Sequence, residues 1–300
     1  MKALSGWRDR FAQLREAQRA VYGINRRNVD LVYAHNRRAD YPIADDKLLA
    51  KRCLEAAGVP VTPTLHVCRG LHELPQSLAF LREHEHFVVK PARGGGGNGI
   101  LVVGARAGEG WQKVGGAPLA EAQLHEHIAA ILFGAWSRGA LEDEAFIERR
   151  VEAHSFYRDL WPDGLCDVRV LTLRGVPFMA MLRVPTQRSG GRANLHQGGL
   201  GLAVALETGE IVRAFSGGEV IERHPDTGAP LCGVQVPRWA ETVEVARAAA
   251  AAVPLGYLGV DIVVDAVQGP VVLEINARPG IEIQNVQGRG LGPDIERYVL

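Results

Sequence analysis

The chain has 300 residues, 47% of them apolar and 23% charged, which is enough for two lobes with their own cores and excludes a disordered chain. Its 34 basic and 34 acidic residues cancel, so no bulk field draws it to nucleic acid or an anionic membrane, and any anion it binds is bound locally. The longest apolar run, near Ala248–Val260, is broken by Pro254 and Gly256 and is too short to span a bilayer; no apolar leader follows Met1. Cys53, Cys68, Cys166 and Cys232 are scattered without metal-ligand spacing, which fits a reducing compartment, and the expected location is the cytoplasm.

In chain order, Leu4, Trp7, Phe11 and Leu14 recur near the helical period and predict a helix over residues 1–22. Two basic clusters follow, Arg26, Arg27 and Asn28, then Asn36, Arg37 and Arg38, which read either as a solvated surface or as a positive rim for an acidic partner. The segment ADDKLLAKRCLEAAGVPVTP predicts a helix capped at Asp45 or Asp46 and stopped at Gly58 and Pro60. Lys47 falls in its first turn, where a cation opposes the helix dipole and is better explained by an anion held nearby.

A strand near Thr64–Cys68 and a helix near Leu71–His84 lead to HFVVKPARGGGGNGILVV. Lys90 ends its first strand, and Gly94, Gly95, Gly96, Gly97 and Gly99 form the loop before Ile100–Val103. Successive glycines lose much entropy on ordering and pack nothing, so a backbone contact to phosphate accounts for them better than a flexible hairpin tip. It is not a P-loop, because no GK[ST] follows and the next element is a strand.

A helix near Ala120–Phe133 precedes the strand Ala145–Val151, which carries Glu148 and leads into Arg149. The alternating run CDVRVLTL puts Asp167 and Arg169 on one strand face, and Arg183, Arg192 and Asn194 add donors beside glycine-rich turns. Any one of these arginines reads as a surface ion pair; together they supply the fixed guanidinium forks that a transferring phosphoryl group or a carboxylate requires.

In LGVDIVVDAVQGPVVLEINARPG, two runs rich in Val, Ile and Leu flank the turn-forming Ala266–Gly269 and predict an antiparallel hairpin. Pairing residue 265 with 270 puts Asp261 opposite Glu274, with Asn276 on the same face as Glu274. Facing carboxylates repel unless they share a cation or a proton, and oxygen ligands favour magnesium or manganese, which commonly join nucleotide phosphates.

The order of Lys47, VVKPARGGGGNG, the Glu148 segment, DVR, RANLHQGG, GVDIV and LEINARPG resembles the ATP-grasp superfamily of carboxylate–amine ligases. Within it the chain is similar to the glutamate ligases that modify ribosomal protein tails, and more so to the alpha-L-glutamate ligase-related proteins, whose likeness extends through GINRRN, ADDK, MLRVPT, HPDTG and LGYLGVD. The resemblance implies an α+β fold in which two lobes with mainly antiparallel sheets clamp ATP. Residues 1–44 would be an N-terminal helix and basic extension, 45–148 the first lobe and 149–300 the second.

It implies that Lys47 and Lys90 contact phosphates beneath the Gly94–Gly99 loop, that Glu148 and Arg149 meet base and ribose, and that Asp167 faces the nucleotide. Arg192 and Asn194 would meet the triphosphate and the transition state, Arg169 and Arg278 would serve substrate or acyl-phosphate contacts, Arg183 would be a further catalytic arginine, and Asp261, Glu274 and Asn276 would hold two magnesium ions, with manganese as the substitute. The implied reaction joins an amino acid, glutamate-like, to an amine acceptor, an amino acid or an acidic peptide or protein; the alternatives are a phosphotransferase and an ATP-sensing module. Only about 45 residues precede the Lys47 helix, too few for the N-terminal α/β domain usual in such ligases. A partner protein docking at Arg26, Arg27, Arg37 and Arg38 is one replacement, and His196 is the candidate general base.

Overall fold

The computed structural model describes residues 14, 15, 18, 20–137 and 142–300. The helix expected over residues 1–22 falls mostly outside the described residues. Helix α1 (Lys47–Ala56) starts where the sequence predicts: Asp46 is its cap, with one carboxylate oxygen accepting from the amides of Leu48 and Leu49 at 3.0 Å each.

The first sheet has six strands: β1 (Thr64–Cys68), β2 (Phe87–Pro91), β3 (Leu101–Ala107), β4 (Gly110–Lys113), β5 (Pro118–Leu119) and β6 (Ala145–Glu148). They lie in the order β1-β6-β2-β3-β4-β5, every pair antiparallel. Helices α2 (Leu74–Arg82) and α3 (Glu121–Leu132) close one core against this sheet through Leu78, Leu81, Leu124 and Ile128. Strand β6 is shorter than the expected Ala145–Val151: it ends at Glu148, and the Arg149 amide donates to the carbonyl of Pro63 instead.

The second sheet has seven strands: β7 (Asp167–Leu173), β8 (Val176–Val184), β9 (Leu200–Val204), β10 (Ile211–Ser216), β11 (Glu219–Ile221), β12 (Tyr257–Asp265) and β13 (Gly269–Asn276). Their order is β11-β10-β9-β8-β7-β12-β13, again antiparallel throughout. One face packs on α4 (Trp239–Ala251) through Val168, Val170, Leu182, Val260 and Ile262, and that core also takes in Ala50 and Leu54 of α1. Leu48 of the same helix packs with Ala92 and Phe146 of the first lobe, so α1 sits between the two sheets. The opposite face is covered at one end by Tyr22, Leu31 and Val32 together with α5 (Ile283–Gln287) and α6 (Leu291–Tyr298).

The hairpin of β12 and β13 reaches the expected pairing by an unexpected route. Asp265 pairs with Gly269, not with residue 270, so near the turn the register is one residue off the expectation. The side chain of Asp265 tightens the turn by accepting from the amides of Val267 and Gln268 at 3.0 and 2.9 Å, and Gly269 takes φ +80°. An irregularity between Ile262 and Asp261 then leaves Leu273 without a partner, and beyond it Asp261 does face Glu274. Among the described residues no helix is long and apolar enough to cross a membrane.

Candidate active site

Side chains alternate across a strand, so Asp167, Arg169, Leu171 and Leu173 of β7 share one face, as do Tyr257, Gly259 and Asp261 of β12. The apolar members of that face lie under the N-terminal segment and the C-terminal helices, while the polar members gather beyond them. Arg183 donates through Nε to Asp167 Oδ1 at 2.6 Å and through Nη2 to both Asp167 and Asp261, the latter at 2.7 Å. Arg169 forks onto Asp261 at 2.7 and 2.6 Å. The result is an alternating row, Asp167, Arg183, Asp261, Arg169, with Asp261 only 1% exposed. Burial works against ionisation of Asp261, but the two arginines overcome it and hold the carboxyl well below the usual carboxylate range. Burial, aided by the charge of Asp261, pushes Asp167 the other way, up to about 6, against the pull of Arg183.

Glu274 and Asn276 close the row. The Asn276 amide lies 3.3 Å from Glu274 Oε1 and 3.4 Å from Asp261 Oδ2, so the three predicted metal-liking side chains converge. Among the described residues no three His, Cys, Asp or Glu side chains gather as metal ligands; this set has two carboxylates and one amide. As a donor set it fits one hard cation. Glu274 keeps oxygen capacity to spare, whereas both oxygens of Asp261 are held by arginine, so a cation here would rest on Glu274 and Asn276 and compete for Asp261.

The glycine loop approaches the same place from the first lobe. Gly96, Gly97 and Gly99 have φ of +66°, +78° and +74°. A Cβ on Gly99 would stand 2.7 Å from the Trp136 ring, and one on Gly94 would collide with Pro91 Cγ. Glycine is therefore required here for conformation and for close packing. Lys47 Nζ donates to the Gly94 carbonyl and lies 4.0 Å from Glu274 Oε2, tying the loop to the hairpin. Arg192 reaches the loop as well, its Cδ 4.0 Å from where a Gly97 Cβ would be. Asn194, two residues on, spends its side-chain oxygen on the His196 amide at 3.0 Å, and both Arg192 and His196 are exposed.

Lys90 lies beneath, paired with Glu148 Oε1. Glu148 Oε2 accepts from Lys51 and from the Thr62 hydroxyl, each at 2.8 Å, and Glu148 is 2% exposed. Burial disfavours the Glu148 charge, yet Lys90 and Lys51 outweigh it and lower its pKa, while burial pulls the Lys51 ammonium down. Two lysines on one carboxylate leave a net positive charge below the loop. Both Glu148 oxygens are engaged with these cations, so its carboxylate holds the two lysines together. Lys51 and Thr62 escaped the sequence reading; the signal was there for Lys51, four residues after Lys47 and hence on the same face of α1.

Other expected members have their partners outside this cluster. Arg149 donates to Asp265 and Gln268 at 2.9 and 2.8 Å, at the far turn of the hairpin. Arg278 donates through Nη2 to both carboxylate oxygens of Asp45 at 2.7 Å and lies over the Tyr41 ring. The basic clusters do not form one exposed rim: Arg26 pairs with Asp30 and Arg37 with Asp40, while Arg27 is buried against the second sheet's face.

No curated protein matched the chain. Among solved structures, a biotin carboxylase from Campylobacter jejuni in a beta-gamma-ATP complex aligns at 17% identity over 82% of this chain and 42% of its own, with a TM-score of 0.51. The ATP-grasp ligase PsnB complexed with a minimal precursor aligns at 18% identity over 88% and 62%, with a TM-score of 0.46. A RimK domain ATP-grasp protein from Sphaerobacter thermophilus aligns at 15% over 89% and 71%, with a TM-score of 0.49. The chain thus spans less than two thirds of the first two structures. At such identity the likeness speaks to fold alone, two antiparallel sheets with helices, as the motifs implied. The family that matches residues 26–298 is described by sugar transfer, with no mention of glutamate. This chain belongs to the sugar-transfer associated ATP-grasp family.

Proposed function

We propose that this protein is an ATP- and magnesium-dependent ligase that joins a carboxylate to an amine through an acyl phosphate. The observation that carries the reading is Lys47, whose ammonium joins the glycine loop to Glu274 and so brings a phosphate-binding loop and a cation-binding carboxylate to one point. Lys47, Lys90 and the loop amides would hold the phosphates, and Glu274 with Asn276 would hold magnesium, which when bound neutralises phosphate oxygens. One ion satisfies these residues; a second is carried only by the resemblance. Lys51 and Thr62 fix Glu148, and Glu148 orients Lys90, so the phosphates meet a preorganised charge.

In the proposed reaction the substrate carboxylate oxygen attacks the γ-phosphorus, the bond to the β-γ bridging oxygen breaks, and ADP leaves with that electron pair. The amine then forms the C–N bond, phosphate departs, and the amine proton passes to solvent or base. Arg192, whose side chain approaches the loop at Gly97, suits the charge developed during transfer. A glutamate-like acid remains the proposed donor, with an amino acid, a peptide or a protein as acceptor. The mention of sugar transfer in the family's description favours a second class of substrates, for which we propose uronic acids as donors and amino sugars as acceptors.

ADP release with magnesium, measured across amino acids, their pairs, short acidic peptides, uronic acids and amino sugars with mass spectrometry on every mixture, tests this. A new amide supports the ligase. ADP with a phosphorylated product and no amide replaces it with a phosphotransferase, and ATP bound but intact throughout replaces it with a sensing module.

A further inference from the structure

Arg27 is 8% exposed, and its Nε and Nη1 are buried with no acceptor. Arg169 and Arg183 are forked onto carboxylates, whereas Arg27 has no ion pair among the described residues. The hydroxyl of Tyr257, on a fully buried side chain, is likewise without a partner. Packing brings the two together, because Tyr22, Leu31 and Val32, which flank Arg27 in the chain, share one buried cluster with Tyr257; the charges of Arg27 and Arg169 accordingly oppose the burial that pushes the Tyr257 pKa up. A buried guanidinium without an anion is strongly unfavourable, and a buried hydroxyl without a partner adds to the cost.

The surrounding structure holds these groups in place. Asn36, 3% exposed, donates to the carbonyls of Tyr257 and Ala277 at 2.8 and 2.9 Å and accepts from the Tyr257 amide at 2.8 Å. Gln284 binds the backbone of Tyr22 from both sides, each bond 2.8 Å, which fixes the segment that carries Arg27. Immediately after Arg27 the helix widens into a π-helical turn over Asn28–Tyr33, an irregularity common at functional sites. Tyr257 shares the site face of β12 with Asp261, four residues or about 13 Å of strand away.

We infer that Arg27 and Tyr257 form an anion seat that anchors a second anionic group of the substrate, remote from the carboxylate activated beside Glu274. This rests on the ligase reading for what happens at the other end. It narrows the substrate to acids bearing a further carboxylate or phosphate.

The test is the melting temperature of the full chain in sodium phosphate, sodium glutarate and sodium chloride at matched ionic strength, for wild type, Arg27→Met and Tyr257→Phe. Phosphate or glutarate, but not chloride, is expected to raise the wild-type value, and the larger response tells phosphate from carboxylate. Arg27→Met is expected to melt at or above wild type without added anion and to lose the response. Tyr257→Phe is expected to keep the fold and bind the anion about tenfold more weakly, the worth of one buried hydrogen bond. An Arg27→Met chain that melts far below wild type with its anion response intact overturns the seat, as does an unchanged affinity in Tyr257→Phe. Calorimetry of magnesium-ATP on the same proteins separates the two proposals. No nucleotide binding with an Arg27-dependent anion response sinks the ligase reading alone, and normal nucleotide binding without that response sinks the seat alone.

Discussion

Replacing Arg183 by methionine isolates what the buried charge row contributes. The substitution removes three charge-assisted hydrogen bonds, two to Asp167 and one to Asp261. Asp261 keeps the full fork of Arg169, so the loss lands on Asp167, which has no other cation forked onto it. Leaving a buried carboxylate without its partner costs about 3–5 kcal/mol while it stays ionised. Asp167 already sits near 6 with Arg183 present, and without it the folded-state pKa rises further above the unfolded value near 3.9. A raised carboxyl pKa means that the folded variant binds a proton the unfolded chain has released, so stability rises as pH falls through that pKa. Urea unfolding at pH 8 should therefore show a loss of about 3–5 kcal/mol, shrinking to about 1–2 kcal/mol at pH 5, where the carboxyl is neutral. The double variant Arg183→Met with Asp167→Asn should recover most of the pH 8 loss. Equal losses at the two pH values, or no recovery, would refute the assignment of Arg183 as the cation on which Asp167 depends.

Three further outcomes follow from the site. Glu274→Ala should leave magnesium-dependent ADP release below about a hundredth of wild type by removing the carboxylate that Asp261 and Asn276 converge on, and activity above that level counts against the cation site. Gly99→Ala combines φ +74° with a Cβ 2.7 Å from the Trp136 ring, so thermal unfolding should show about 1–3 kcal/mol of destabilisation, more than Gly115→Ala, whose φ of +93° is strained but whose Cβ would meet nothing within 4 Å. Glu148 has a depressed pKa, so its stabilisation is complete above the unfolded carboxyl pKa and is lost as pH falls through the folded value. Glu148→Gln should flatten the acid limb of the stability curve, and an unchanged limb would show that the two lysines do not draw on that charge.

Much of this site could be read from the residues because its parts are local. The alternating runs fixed Asp167 and Arg169 to one face of β7, the glycines and Lys90 marked the loop, and Asp46 marked the start of α1. Cross-strand partners were harder. Arg183 meets Asp167 through the pairing of β7 with β8, and reaches Asp261 across β7, which no spacing within either strand reveals. Long-range docking was invisible: Arg27 and Arg37 sit in similar basic clusters, yet one is buried against the sheet and the other is exposed on a short-range pair with Asp40. Arg149 followed Glu148 in sequence but left it in space, because β6 ends between them and the chain turns toward Asp265.

The unpaired residue in β13 separates two kinds of mutational tolerance at one position. Leu273 is half-buried and faces no partner across the hairpin, so its side chain has little to specify. Its backbone, however, supplies the extra step that bends and twists the strand just before Glu274, and bulges of this kind re-aim the side chain that follows. A reading frame offers the analogy: many letters are acceptable at that place, but the count is not free. Homologous chains should therefore vary at Leu273 in residue type while keeping the spacing from Gly269 to Glu274 constant, and any length change there should be matched by one in the Ala266–Gln268 turn.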